Sequence, residues 1–440
     1  MMKLWIWAAF AILFLNLTNC KKEEKNFTQN SKNKQDSIPR FDSINWFSAY
    51  EFEPVNLIEK SNQYNFLDNF FQNYWVKTNA SGGFLVAQNG KIIYENYSGY
   101  SDIQKKIPIT AHTPLHIASI SKVLTGLAIL KLVENNKLDL NDRVGKYLKG
   151  FPYKDVRIED LLNHRSGLPN YLSFSEDKRY WDMNKKMTNQ DVLNVMMNKK
   201  PEAFAKPGKK FAYNNTNFVL LALIIEKITK MSYPEAMKYM VFDPIGMTDT
   251  FVMDFEKDAE NVSKSYYYNG NEWKYDHLDV TYGDKNIYST PKDLYKLDVA
   301  MYADEFLPKK LKEKAWKGYS YEKPGVKNYG LGIRLMEWEN GNKILYHNGL
   351  WHGNNSVYVR DFNHEATIIA LGNRKNGIVY KTFRLVSLFG NYPFQISAYG
   401  SNGLSRKLKK DIDSVKLKTV EDKVKHTKKR VDSLKKTLNK

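Results

Sequence analysis

Ser119-Ile120-Ser121-Lys122 is the stretch whose residue types and spacing point most directly to chemistry. It reads S-x-x-K. On a helix, residues three apart share a face, about one turn from each other. Lys122 then stands beside the Ser119 hydroxyl, and a neighbouring amine is one way to remove the proton that keeps a serine from attacking. Four residues alone are weak evidence in a lysine-rich chain. Acyl transfer needs more: a group to complete proton transfer, a group to hold the substrate and N–H donors for the oxyanion. Tyr213-Asn214-Asn215 follows Pro207-Gly208 and precedes an apolar run at Phe218, and His347-Asn348-Gly349 stands at the end of an expected strand, Lys343–Tyr346. Taken singly, a tyrosine before a buried helix is more often core, and a single histidine more often surface or satisfied core. Rival chemistries lack their patterns. There is no G-x-S-x-G for a nucleophile elbow and no H-E-x-x-H. His112 and His116 are four apart but lack a third ligand. The chemistry calls for no metal and no cofactor.

These groups need elements to position them. Phe66, Leu67, Phe70, Phe71 and Tyr74 keep helical spacing. Gly83–Gln88 and Lys91–Tyr97 flank Asn89-Gly90, a strong hairpin signal. Ser119 opens an apolar helix through Val123, Leu124, Leu127 and Leu130, and a second such helix covers Phe218–Ile228. From Trp338 to Gly372, β-rich runs alternate with turns, including Ser356–Val359 and Ala366–Leu371 around Asp361-Phe362-Asn363-His364. Strands at both ends and helices between them predict an α+β domain: an antiparallel β-sheet flanked by helices with an inserted, mainly helical lobe.

The chain has 440 residues, is 42% hydrophobic and 14% aromatic, and so can bury a substantial core. Its net charge of +19 first suggests nucleic acid. However, residues 401–440 hold fourteen Lys/Arg against five Asp/Glu, nearly half of the surplus, and no nucleic-acid motif stands in the middle. The reading is no nucleic-acid partner. Cys20 is the one cysteine, so no intrachain disulfide forms. Lys3 precedes an apolar run, Leu4–Leu15, shorter than the about 20 residues of a membrane span. That is the layout of a signal peptide. Leu17-Thr18-Asn19-Cys20 resembles a bacterial lipobox, with Asn19 in place of the usual small residue. Lys21-Lys22-Glu23-Glu24 resembles the charged surface-export tag of some Bacteroidetes lipoproteins.

The expected organisation is therefore a lipoprotein signal peptide over 1–19, a flexible tether over 20–48, a folded domain over 49–400 and a basic amphipathic helix over 401–440. The expected location is the cell envelope, with the membrane reached through a lipid on Cys20. Leu417, Val420, Val424, Thr427, Val431, Leu434 and Leu438 step by three and four. That helix packs on its own domain, self-associates through 417–438 as a short coiled coil, or meets anionic lipid.

Ser119-x-x-Lys122, Tyr213-x-Asn215 and His347-x-Gly349, in this order, resemble the three motifs of the serine β-lactamase and penicillin-binding-protein superfamily. The resemblance extends to the class C enzymes and their D-alanyl-D-alanine carboxypeptidase, D-aminopeptidase and esterase relatives. Leu161-Leu162-Asn163-His164-Arg165-Ser166-Gly167-Leu168-Pro169 is similar to the family's "LLtHtSGLp", and Asp243-Pro244-Ile245-Gly246-Met247 to its "PLGM". Gly283-Asp284 through Tyr288-Ser289-Thr290 and Asp293 resembles "G…ySt..DL", and Tyr329-Gly330-Leu331-Gly332 resembles "YGLG". The resemblance covers roughly residues 60–375. It implies that Ser119 is acylated, that Lys122 and Tyr213 share the proton relay, and that cationic Lys122 stabilises a Tyr213 phenolate. It also implies that Asn215 holds the acyl amide of a small-molecule or peptidoglycan-type substrate, and that the backbone N–H groups of Ser119 and Leu350 form the oxyanion hole, with Gly349 leaving room. β-Lactamases usually carry lysine where this chain has His347. The expectation is thus an esterase or D-alanyl peptidase-like serine hydrolase. A β-lactamase proper, or an inactive surface lipoprotein that binds peptidoglycan or a partner, is the alternative. If a charged His347 recognises a substrate carboxylate, affinity strengthens as pH falls from about 8 to 6.

Overall fold

The computed structural model describes residues 62–392, 408–418 and 425. The signal peptide, Cys20, the tether and the heptad positions beyond Leu417 lie outside the described residues. The strands are β1 (Gly82–Gln88), β2 (Lys91–Ser98), β3 (Tyr100–Asp102), β4 (Ile107–Pro108), β5 (Leu115–His116), β6 (Phe251–Val252), β7 (Ile287–Ser289), β8 (Lys327–Tyr329), β9 (Arg334–Glu337), β10 (Lys343–Trp351), β11 (Asn354–Asp361) and β12 (Ala366–Gly372). Seven of them form one sheet in the order β2-β1-β12-β11-β10-β9-β8, with antiparallel neighbours throughout. The early hairpin joins the late strands through β1 and β12, which pair from Gly82↔Gly372 to Gln88↔Ala366. The chain between β2 and β8 supplies most of the helices. This is the α+β architecture expected.

Both faces of the sheet are covered, so its central strands lose the alternation of a half-wet strand. Every residue of β11 and β12 is buried, whereas the edge strand β2 mixes buried and half-buried positions. One face carries an apolar cluster with the Asn62–Phe70 helix, Phe71, Trp75, Phe84, Tyr346, Val359, Ile368 and Phe383. Leu408 and Ile412, in the helical residues 408–418, pack into this same cluster, while Leu417 is exposed. The described start of the basic C-terminal segment therefore packs on its own domain. Against the other face lies the Pro291–Tyr302 helix, whose Asp298 accepts hydrogen bonds from Tyr358 and Thr367 of the sheet. No helix among the described residues is long and apolar enough to cross a membrane.

Two boundaries differ from expectation in a way that matters for the site. Ser119 does not open the α-helix. It sits in a 3₁₀ turn, Ala118–Ile120, and the α-helix runs Ser121–Glu134. Its neighbour Ala118 is in the left-handed region at φ 48°, a conformation that costs an L-residue about 1–2 kcal/mol and cannot continue into a helix. And the third motif lies inside a strand, since β10 continues through His347, Asn348 and Gly349 to Trp351. The pairing with β11 from Ile344↔Asp361 to Trp351↔Asn354 carries it across the glycine.

Candidate active site

Ser119 is half-buried between fully buried neighbours, so its hydroxyl is reachable while its turn is held. Buried His116 holds that turn. Its Nδ1 accepts from the Ala118 N–H at 3.1 Å, which leaves Nε2–H to donate to Asn286 Oδ1 at 3.0 Å. Both bonds suit a neutral ring, and burial lowers the His116 pKa to about 4. The two histidines four apart are thus not brought to one metal. His112 is exposed and bonded to Asp249 instead. Among the described residues, Asp276, Asp279 and His352 do converge with ligand atoms within 4.8 Å of one another. There His352 Nε2 already meets both Asp279 oxygens at 2.9 and 3.0 Å, the geometry of a hydrogen-bonded pair.

Lys122 is fully buried in the first turn of the α-helix. Its Nζ donates to Ser119 Oγ at 3.0 Å and to the Asp284 carbonyl at 2.8 Å. The same Nζ lies 5.1 Å from the centre of the Tyr213 ring. Tyr213 and Asn215 arrive on the loop that leads into the Thr216–Thr229 helix, where Asn215 is the N-cap residue. Asn215 makes no side-chain cap bond to this helix, and both it and Tyr213 are half-buried.

His347, Gly349 and Leu350 reach the site from β10. A Cβ at Gly349 would lie 2.5 Å from the Ile117 carbonyl oxygen and 2.9 Å from the Ala118 Cβ. Real side chains do not come that close, so glycine is what lets the strand press onto the nucleophile turn. Leu350, the next residue, is 57% exposed, so the strand beside Ser119 borders solvent here. The candidate residues from three distant parts of the sequence therefore stand around one serine.

His347 differs from the conditional cation expected of it. It is fully buried. Its Nδ1 lies 2.8 Å from the Asn348 carbonyl and its Nε2 lies 3.1 Å from the Tyr329 hydroxyl. A carbonyl can only accept, so Nδ1 carries the proton and Nε2 accepts from Tyr329. Burial, then the charges of Arg334 and Lys122, hold the His347 pKa well below the ordinary imidazole value. Burial raises the Tyr329 pKa, which keeps its donating proton in place.

Two residues were missed by reasoning from motifs. Arg334 on β9 places its guanidinium 4.7 Å from the centre of the Tyr213 ring and 5.6 Å from that of Tyr329. Its signal was its place two residues after Tyr-Gly-Leu-Gly, in register with Tyr346 of β10. His164 packs its ring 4.4 Å from that of Tyr213, and its Nδ1 accepts from the Asn214 N–H at 3.1 Å. Burial and the charges of Lys122 and Arg334 keep it neutral. Its signal lay in the Leu-Leu-Asn-His-Arg-Ser-Gly stretch.

Neutral His116, His164 and His347 make a prediction about acid. Unfolded histidine takes its proton near pH 6.5, whereas these three take theirs lower. Between the folded and unfolded values the unfolded chain binds more protons, so stability is lost as pH falls. Thermal melts should be nearly level from pH 8 to 7 and drop progressively below about pH 6.5, at up to about 1.4 kcal/mol per pH unit for each histidine. A melting temperature unchanged down to pH 5 would contradict neutral, buried rings.

Comparison with known proteins places the chain in a family. The model of the beta-lactamase family matches residues 67–387. The chain belongs to the beta-lactamase family of serine hydrolases. It is 32% identical to penicillin-binding protein 4* of Bacillus subtilis over 337 residues, covering 73% of this chain and 74% of that protein. It is 33% identical to the teichoic acid D-alanine hydrolase of Staphylococcus aureus over 221 residues, 49% of this chain and 53% of that one, so the match spans about half of that relative. The octameric penicillin-binding protein homologue from Pyrococcus abyssi superposes with a TM-score of 0.63 at 26% identity, over 73% of this chain and 76% of that one.

Proposed function

We propose that this protein hydrolyses ester or D-amino-acyl substrates through an acyl-enzyme on Ser119. The contact that supports this most is the 3.0 Å hydrogen bond from buried Lys122 Nζ to Ser119 Oγ, with Tyr213 beside the same ammonium. In this reading the Ser119 proton passes along the Lys122–Tyr213 relay to the Tyr213 oxygen as Oγ attacks the acyl carbon, Lys122 giving up one N–H proton as it gains another, and the relay returns it to the leaving oxygen or nitrogen. Asn215 holds the acyl side. The Ser119 and Leu350 N–H groups receive the oxyanion, and water then releases the acid. The name of the Staphylococcus relative, a D-alanine hydrolase, supports D-alanyl esters as a first class to try.

Substrate charge is read by Arg334 rather than by His347. A neutral, buried imidazole offers no fixed cation, which argues against a β-lactamase proper. The guanidinium on β9 is charged at any working pH. The test is a panel of neutral p-nitrophenyl esters, D-alanyl substrates ending in a carboxylate and a chromogenic cephalosporin. We expect turnover of the first two. For the carboxylate substrates KM should be level between pH 6 and 8, and Arg334→Gln should raise it roughly 10–100-fold while leaving neutral esters within about threefold. A KM that falls on acidification, or an Arg334→Gln enzyme that treats both classes alike, would sink this assignment.

A further inference from the structure

Behind the site lies a second buried lysine that the chemistry above leaves unused. Lys285 is 3% exposed. Its Nζ donates to the Tyr171 hydroxyl at 2.6 Å and to Thr281 Oγ1, and lies 4.5 Å from the centre of the Trp351 ring. Two of these contacts, and the residue before Lys285, lead to three different motifs of the site. Tyr171 donates its backbone N–H to Thr216 Oγ1 at 2.7 Å, one residue after Asn215. Trp351 follows Leu350 on β10, and its Nε1–H donates to Asp279 Oδ1 at 2.7 Å. The residue before Lys285 is Asp284, whose carbonyl receives Lys122 Nζ.

The Asp284 carboxylate belongs to the same cluster. Its Oδ2 accepts from the Tyr171 hydroxyl at 2.9 Å, and its Oδ1 lies 3.8 Å from Lys285 Nζ. The preceding backbone is wedged between helices. The Gly283 carbonyl accepts from Thr125 Oγ1, and a Cβ on Gly283, at φ +92°, would meet the Phe218 carbonyl oxygen at 2.4 Å. The carbonyl that holds Lys122 is thus fixed from one side by helix packing and from the other by the Lys285–Asp284–Tyr171 cluster.

We propose that Lys285 is a positioning residue that sets the mutual geometry of Lys122, Asn215 and Leu350 through Asp284, Tyr171 and Trp351. It touches neither substrate nor Ser119. Burying an ammonium is costly, and burial here lowers its pKa. A plain packing site would be filled as well by methionine. An ammonium at this point instead binds an anion, two hydroxyls and an aromatic face at once, and so locks three chain segments that an apolar side chain would leave free to shift. Misplacement of about 1 Å between catalytic groups can cost 10²-fold. The inference rests on the acyl-serine reading above.

The test compares Lys285→Met, Trp351→Phe and their double variant on a neutral ester, with melting curves for each. Lys285→Met should lower kcat roughly 10–100-fold and keep KM within about threefold. Because Lys285 acts partly through Trp351, the double variant should lose less than the product of the single losses. Should Lys285→Met fail to fold, Asp284→Asn/Lys285→Met removes both buried charges and carries the same expectation. A variant that melts earlier yet keeps kcat within twofold, or losses that multiply fully, would overturn the proposal. Ser119→Ala run alongside keeps the two ideas separate. Turnover surviving in it overturns the acyl-serine reading, whereas undiminished turnover in Lys285→Met, with Ser119 still labelled by a fluorophosphonate, overturns the positioning role.

Discussion

Ser119→Ala is expected to lower kcat by about 10⁴-fold or more on any ester or D-alanyl substrate the enzyme accepts, and to remove fluorophosphonate labelling. The size follows from what is lost. Without Oγ no covalent intermediate forms, and only water held near the oxyanion donors is left to attack the acyl carbon. The fold should be untouched. Ser119 is half-buried, and its side chain accepts one bond, from Lys122. The Ala118–Ile120 turn is held by main-chain bonds and by His116, and the alanine leaves these in place. A melting temperature within a few degrees of wild type, beside the collapse of kcat, separates loss of the nucleophile from loss of structure. KM should change little if Asn215 and Arg334 hold the substrate as proposed.

Lys122→Met carries the second-largest effect. We expect kcat to fall roughly 10²–10⁴-fold, the range typical when a positioned acid or base is removed. Lys122 is the one described side chain bonded to the Ser119 hydroxyl, and it also faces the Tyr213 ring. Methionine fills similar buried volume but can neither accept nor donate the proton. The cost to folding is smaller. The Asp284 carbonyl loses its partner, worth about 1–3 kcal/mol when a buried acceptor is left unpaired. Replacing a buried charge by an apolar chain offsets part of that. Pre-steady-state traces decide where the loss falls. If Lys122 relays the Ser119 proton, the acylation burst itself slows. An unchanged burst with slow release would move the role of Lys122 to deacylation alone.

Much of this site was legible in the chain because its parts are local. S-x-x-K needs only one helical turn, and the Thr216–Thr229 helix and strands β10–β12 announce themselves by apolar runs. What was hidden depends on which distant residues pack together. His347 reads as a titratable group by type, but burial, and then the guanidinium from β9 and Lys122, decide its charge. The strand was expected to end at Tyr346, before the third motif. It continues because Gly349 is where the backbone meets Ile117 and Ala118, 231 or more residues earlier in the chain. Ser119 was expected at a helix start because the apolar helical run of Val123, Leu124, Leu127 and Leu130 follows it. The His116 bond to Ala118, supported by Asn286, holds a left-handed residue there instead. Arg334 and Lys285 carry no motif of their own. Each becomes visible only when β9, or the segment before β7, is placed against the other two motifs.

The central claim is that acyl transfer passes through Ser119, and peptide mapping tests it most directly. The full chain is mixed with an activated p-nitrophenyl ester or a fluorophosphonate, quenched in acid, digested and analysed by mass spectrometry. The account predicts one adduct of the mass of the acyl or phosphonyl group, on the peptide that contains Ser119 and on that residue. An adduct on another side chain, or steady turnover of the ester with Ser119 unmodified during the reaction, would contradict it.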